Sequence, residues 1–408
     1  MKFLYLQRAN RLMFLGILSI LFMVSFYIFY MQVFYFRFYN IPKSDLSDHI
    51  KLIELILQHK YHVPHAGFHY STYFFSLMTF LNREYSAILL LSSFVVISFS
   101  VTFYTLRVFL TELYPERFII FITLFLHLVT PVFLPVLNTT IFFGQGSPNI
   151  WHSPTFIMTK PFVLIIIILI VPLLEDIKKQ TSGWKIIVPS LLLMISVFYK
   201  PNFALAFIPA VGLYILFKHW SEFRKYVISF FLVLPALLIL GYQFISTYFF
   251  TDNNLGGTGD HIILTFFGAW KVHSPCIPLS VLRGIIFPAS IFLFRRKEVI
   301  KNNYLILSWL FYFAAFAEVS FLAEKEGFFA FNFSNGYSFS LISLYTFSVI
   351  ELLKWMKEFS FPFNISGLKY RLLSVEKKKM YITTILFYSY IISGFIYLVR
   401  QVLGYGFS

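Results

Sequence analysis

Apolar runs long enough to cross a lipid bilayer recur along the whole chain, and that recurrence restricts the fold more than any other feature. They fall near 12–34, 85–110, 118–137, 155–174, 186–199, 202–217, 227–250, 277–294, 303–322, 337–353 and 381–400, about eleven in all. A helix needs roughly 20 apolar residues to cross a hydrocarbon core about 30 Å thick. Inside lipid every backbone N–H and C=O must be paired, which a helix achieves alone and strands achieve only in a closed barrel. Runs of this length therefore predict an all-α, polytopic transmembrane helix bundle, a single integral membrane domain over residues 1–408. Composition agrees, since only 12% of residues are charged, about half the share in a soluble globular domain.

The net charge of +15 suits nucleic acid in a soluble protein, but in a membrane protein charge is first sorted by side. With the N-terminus placed in the cytoplasm, 22 of the 33 Lys and Arg fall on the cytoplasmic side. They include Arg107, Arg117, Lys218, Arg224, Arg295, Arg296, Lys357 and Lys377 to Lys379. The basic residues are thus read as topology, with membrane lipids and no nucleic acid as partner, and the C-terminus is extracytoplasmic. The run after Leu12 is read as a retained first span, because no small-residue cleavage site follows it. A single cysteine, Cys276, excludes an intrachain disulfide and a cysteine-based zinc site.

The same sorting leaves Asp45, Asp48, Glu54, Glu318, Glu324 and eight of the ten His at the outer face. The first outer loop, residues 35–84, is the richest polar interval. Leu46, Ile50, Ile53, Leu55, Ile56 and Leu57 recur at helical spacing, with Asp48, Lys51 and Glu54 on another side, the pattern of a helix lying at the membrane interface. Ser44 or Asp45 suits its N-cap. The residues VPHAGFH then break that helix and a second is expected over 69–82.

Several groups in the outer segments carry possible chemistry. Asp45 and Asp48 suit general-base work or a divalent cation, and equally a helix cap or the favourable charge of a helix N-terminus. His49, His59, His62, His65 and His69 match no compact metal motif, so hydrogen bonding to a sugar or phosphate, with His49, His65 and His69 as the candidates, or plain packing at the interface is the stronger reading. Trp151 and His152 precede the fourth span and suit stacking and hydrogen bonding to a ligand, or interface anchoring. Lys160 and Lys200 each precede a proline at the outer part of an apolar helix, where a lysine either snorkels to head groups or meets an anion. Arg283 is a third candidate for that anion, and Glu318 is expected to pair with one of the lysines. No P-loop, GxGxxG or HExxH occurs.

A first span, an outer loop carrying SDLSDHIKLIE, interfacial helices and about ten further spans together resemble the GT-C superfamily of membrane glycosyltransferases. The segments PHAGFHY (64–70), NIWHSPT (149–155), KPF (160–162), KPN (200–202) and AEKEGFFAFNFSNG (323–336) are similar to those of bacterial members. The resemblance implies an inverting hexosyl transfer from a polyprenyl-phosphate-linked sugar to a glycan, lipid or protein acceptor, on the outer face of the bacterial cytoplasmic membrane. Asp48, with Asp45 as alternate, takes the base role that the acidic motif of the first outer loop implies. Lys160, Lys200, Arg283 or a divalent cation, Mg or Mn, held by Asp45 and Asp48 then balances the leaving phosphate. Here the two acids stand three apart rather than adjacent or two apart. The competing readings are a polysaccharide polymerase, a lipid-linked sugar carrier or flippase without transferase chemistry, and an assembly subunit.

Overall fold

The computed structural model describes residues 2–35, 44–61, 63–134, 136, 144–175, 183–248, 261–325, 327–359 and 374–403. His62, Asp252, Asp260, Glu326 and the Gly-rich stretch 251–260 lie outside them. The described chain is almost entirely helical. In order it forms α1 (Lys2–Tyr30), α2 (Leu46–Leu57), α3 (Gly67–Thr79), α4 (Arg83–Leu110), α5 (Glu116–Leu128), α6 (Pro154–Glu175), α7 (Gly183–Tyr199), α8 (Asn202–His219) and α9 (Phe223–Tyr248). It continues through β1 (Ile262–Leu264), α10 (Gly268–His273), α11 (Ile277–Phe294), α12 (Arg296–Lys301), α13 (Asn303–Phe321), β2 (Leu322–Glu324), α14 (Ser334–Glu358) and α15 (Val375–Val402).

Among the described residues nine helices, α1, α4, α6, α8, α9, α11, α13, α14 and α15, are long and apolar enough to cross a membrane. The chain is an integral membrane protein of multi-pass type. Two of the expected spans form helices too short to be counted among these nine. At 17 residues, α7 ends where Pro201 breaks the chain, because proline lacks the N–H that a continuing helix needs. With 13 residues, α5 rises only about 20 Å before an extended segment at Val129–Pro131 ends it.

That extended segment is held by α15. Thr130 N donates to Tyr390 O (3.3 Å), Ser393 Oγ to Pro131 O (2.9 Å) and Phe133 N to Ser393 Oγ (3.1 Å). The approach requires Gly394, since a Cβ there would lie 1.3 Å from the carbonyl oxygen of Leu128. The all-α expectation holds, with one short exception among the described residues: β1 and β2 pair antiparallel, Ile262 opposite Glu324 and Leu264 opposite Leu322. This two-stranded clip ties residues 262–264 to the end of α13.

The centre of the bundle is α14, whose whole apolar window is buried by neighbouring helices. It faces protein on all sides rather than lipid, and its sequence NGYSFSLISLYTFSVIE is correspondingly rich in small and hydroxylic residues. Small side chains let helices approach closely. The hydroxyls of Ser340, Ser343 and Thr346 return their hydrogen bonds to carbonyls three or four residues earlier, so they cost little when buried. Phe339 of α14 stacks on Phe156 of α6 at 4.3 Å between centroids.

Candidate functional site

α2 fixes the site, and the reason lies in its two faces. Leu46, Ile50, Ile53 and Ile56 form its buried stripe, which leaves Leu55 and Leu57 of the expected set off that stripe. Asp48 projects from the outer side, where its side chain is 77% exposed and pairs with Lys51 at 2.9 Å. Asp45 stands one turn earlier and is also exposed to solvent, with Lys200 as its nearby cation. It occupies the cap position but makes no side-chain capping bond. Ser44 takes that part, accepting from Leu46 N (3.1 Å) while its hydroxyl donates to Gln32 Oε1 (2.7 Å).

Gln32, just past the end of α1, ties three segments together. Its Nε2 donates to Trp151 O (2.9 Å), its carbonyl accepts from Ser47 Oγ (3.3 Å), and Ser44 Oγ also lies 3.2 Å from His152 O. The start of α2 is thereby fastened to the segment that leads into α6.

The opposite wall is Lys200, between α7 and α8. Its Nζ donates to Thr155 Oγ1 in the first turn of α6 at 3.1 Å. Among the described residues no carboxylate lies within ion-pair distance of it. Asp45 and Glu324 act on it from further away, each favouring its charged form. Burial is the larger influence and lowers its ammonium to about 8. For Asp45 burial comes first and raises the carboxyl; Lys200 lowers it, and Asp48 raises it further. Asp45 nevertheless stays accessible to solvent. A group that water reaches, yet that protein surrounds, lines a recess.

Histidines complete the wall. His49 Nδ1 and His69 Nε2 are 3.1 Å apart, joining α2 to α3. Burial lowers His65 to about 3, His69 to about 4 and His152 to about 3, with Lys200 adding to the effect at His65 and His152. His49 is likewise held well below its usual value by burial and then by His69, His65 and Lys200. All four rings are therefore neutral at pH 7, each with one N–H donor and one acceptor nitrogen. Gly67 brings them close to Lys200, because α3 packs on the end of α7 so tightly that a Cβ would meet Phe198 O at 2.6 Å.

The structure thus gathers Asp45, His49, His65, His69, His152 and Lys200, and leaves four candidates elsewhere. Asp48 is on the solvent side of α2. The Trp151 ring packs on Phe29 of α1, 6.4 Å between centroids. Lys160 sits five residues beyond Thr155, about 7.5 Å along α6, where Nζ donates to Asn149 Oδ1. Asn149 in turn donates to Leu126 O and Val129 O, so this lysine braces the bundle interior. Arg283 Nε donates to Val132 O at 2.8 Å on the segment after α5.

Glu318 was expected to pair with a lysine. Instead both carboxylate oxygens are buried without a hydrogen-bond partner among the described residues, against the first turn of α14, where a Cβ on Gly336 would lie 2.9 Å from Oε2. A divalent cation shared by Asp45 and Asp48 does not fit, because one carboxylate faces Lys200 while the other is turned outward and held by Lys51. The described residues hold no group of three His, Cys, Asp or Glu arranged for a metal ion.

Sequence reasoning missed Gln32, Ser44, Thr155 and Gly67 as parts of the site. Gln32 carried a signal, as a polar residue at the end of an otherwise apolar run; Thr155 carried none beyond its place at a helix start. A cleft of about 680 Å³ beside α2 is a separate feature, lined by Lys51, Glu54, Tyr73, Phe80 and Arg83 among others. It holds an Arg83–Glu54 ion pair but none of the clustered histidines. Compared with known proteins, the chain matches no family model and no curated sequence.

Proposed function

We propose that this protein is a GT-C-like inverting glycosyltransferase that moves a sugar from a polyprenyl-phosphate-linked donor to an acceptor at the extracytoplasmic face, with its N-terminus cytoplasmic. The observation that supports this reading is a solvent-reached carboxylate, Asp45, placed close enough to the Lys200 ammonium for each to favour the other's charged form, with His49, His65, His69 and His152 clustered about them. The base is Asp45 rather than Asp48.

Each group has a chemical part. The acceptor hydroxyl gives its proton to Asp45 as its oxygen attacks the anomeric carbon, since a sugar hydroxyl is a poor nucleophile at neutral pH and a positioned base assists it. The bond from that carbon to the phosphate oxygen breaks, and the lipid phosphate departs with the electron pair. Lys200 stands where that charge develops, with Thr155 fixing its direction; preorganised positive charge in a recess is worth more than in water. Neutral His49, His65 and His152 offer donors and acceptors to sugar hydroxyls without competing for the phosphate.

The test is transfer from a synthetic polyprenyl-phosphate sugar by purified protein in vesicles. Asp45→Asn is expected to lower kcat by about a hundred- to ten-thousand-fold, and Lys200→Gln to raise KM for the donor. Asp48→Asn should stay within about twofold, as an exposed ion pair contributes little. Full turnover by Asp45→Asn sinks the proposal.

Glu318 favours a second reading, a carrier for a lipid-linked sugar. An intramembrane carboxylate without a partner is expensive and often marks a proton or ion path. Under that reading Glu318→Gln stops transport of the lipid-linked sugar across the vesicle membrane, while under the first it leaves transfer intact.

A further inference from the structure

We infer that the end of the bundle remote from Asp45 binds an anionic glycerophospholipid, its acyl chain between α5, α14 and α15 and its phosphate on Lys357, Arg117 and Lys377. The inference is independent of the transferase reading, because none of these residues touches the Asp45 recess.

A cleft of about 260 Å³ opens between the three helices, walled by Phe118, Phe121, Phe125, Leu353, Met356 and Phe387. Its volume is below the usual 300–1,000 Å³ of a small-molecule pocket, and its wall is almost wholly hydrocarbon. A polar metabolite gains nothing there. A chain of methylenes packs there by van der Waals contact, as lipid tails and apolar helix faces do throughout a bilayer.

The cations stand where the head group of such a chain would lie. Lys357 follows Leu353 by four residues and so shares its face of α14. Its ammonium is 5.9 Å from the centre of the Tyr114 ring, which stacks on Phe118 at 4.7 Å. The Tyr114 hydroxyl donates to Leu353 O at 2.7 Å, fixing that ring at the rim of the cleft. Arg117 adjoins Phe118 in the first turn of α5, and Lys377 precedes the lining residue Thr384 by seven positions, two turns along the same face of α15.

Three of the nearby acids are engaged with other groups, while Glu112, in the turn before α5, makes no ion pair among the described residues. Glu358 accepts two hydrogen bonds from Arg295 (2.8 and 2.6 Å), Glu376 pairs with Lys379 (2.7 Å), and Glu116 is shared by Asn10 (3.1 Å) and Arg107 (3.6 Å). Among the described residues Lys357, Arg117 and Lys377 make no ion pair. Three cations outside any ion pair, beside a hydrocarbon slot, match a lipid with an anionic head; a zwitterionic lipid brings its own cation. Basic pockets between membrane helices recognise anionic head groups in this way.

Native mass spectrometry of the full chain, taken from vesicles of phosphatidylcholine with and without phosphatidylglycerol, tests the site. Wild-type protein should retain phosphatidylglycerol in preference to phosphatidylcholine. Each neutralised cation is expected to cost about fivefold in that preference, so Lys357→Gln, Arg117→Gln and Lys377→Gln together cost roughly a hundredfold. Lys354→Gln serves as control, because its ammonium lies over the Phe109 ring instead. Leu353→Trp, which fills the cleft, should remove the bound lipid from protein whose thermal unfolding in phosphatidylcholine is unchanged. Equal retention of the two lipids by wild type, or an undiminished preference in the triple variant, overturns the inference.

Discussion

The two ends of the bundle treat buried charge in opposite ways. At the end remote from Asp45, Arg295 meets Glu351 at 3.3 Å, Glu358 at 2.6 Å and Glu298 at 3.7 Å. His219 nearby lies between Glu175 (3.0 Å) and Glu222 (2.9 Å), and Lys225 joins Glu222 at 3.2 Å. These groups find their partners within the protein. At the Asp45 end the half-buried ammonium of Lys200 has a hydroxyl for its near neighbour, acids only at longer range and neutral rings around it. Of its three donors one is used by Thr155. Closed networks hold helices together, whereas a charge left partly unmatched in a recess is ready to meet an outside anion.

The largest effect expected from breaking this contrast is on stability, at the closed end. Arg295→Met leaves Glu351, whose side chain is 5% exposed, without its cation. Stranding one partner of a buried pair costs about 3–5 kcal/mol. Thermal unfolding in detergent should show a large fall in midpoint, and sugar transfer measured well below that midpoint should be preserved. An unchanged midpoint breaks the claim that this end is a structural clamp.

A smaller effect follows from the packing that builds the open end. Gly67→Ala places a methyl 2.6 Å from Phe198 O, so α3 must move away from α7 and carry His65 and His69 away from Lys200. Overpacking of this kind costs about 1–3 kcal/mol. Activity is expected to fall further than stability, because a misplacement near 1 Å at a reacting centre costs about a hundredfold in rate. If activity and midpoint fall in proportion, Gly67 serves packing alone.

How much of this was readable beforehand differs between elements for physical reasons. The helices follow from hydropathy, since lipid punishes every unpaired backbone group and leaves the chain no alternative. The burial of α14 left a trace as well, serines spaced along an apolar run, small side chains of the kind that let helices pack closely. Asp45 and Asp48 were indistinguishable by residue type, and only the register of α2 separates them. Leu46, Ile50 and Ile53 turn inward; both acids reach solvent, but Asp45 at the start of α2 lies near Lys200 while Asp48 pairs with Lys51. Lys160 and Lys200 shared a Lys-Pro signature as well. Their difference depends on depth and on neighbours far apart in sequence, Asn149 for one and Asp45 with Glu324 for the other. Such long-range partners leave no trace in a local motif.

The smallest effect, and the sharpest on the open end, is in pH. Burial lowers the Lys200 ammonium to about 8, against about 10.4 for an exposed lysine. The form that meets an anion is the protonated one, so donor affinity should be full below pH 8 and decline as pH rises through it. Asp45 acts at the other limb. Its carboxyl is raised, first by burial, and the base is the deprotonated form, so turnover should fail on acidification at a pH above that of an ordinary aspartate. The two limbs are separable, because Lys200 shapes the KM for donor and Asp45 shapes kcat. Lys200→Arg keeps a cation at all accessible pH and should abolish the alkaline rise in KM while leaving the acid limb in place. An alkaline rise that survives in Lys200→Arg assigns it to another group and removes Lys200 from the phosphate.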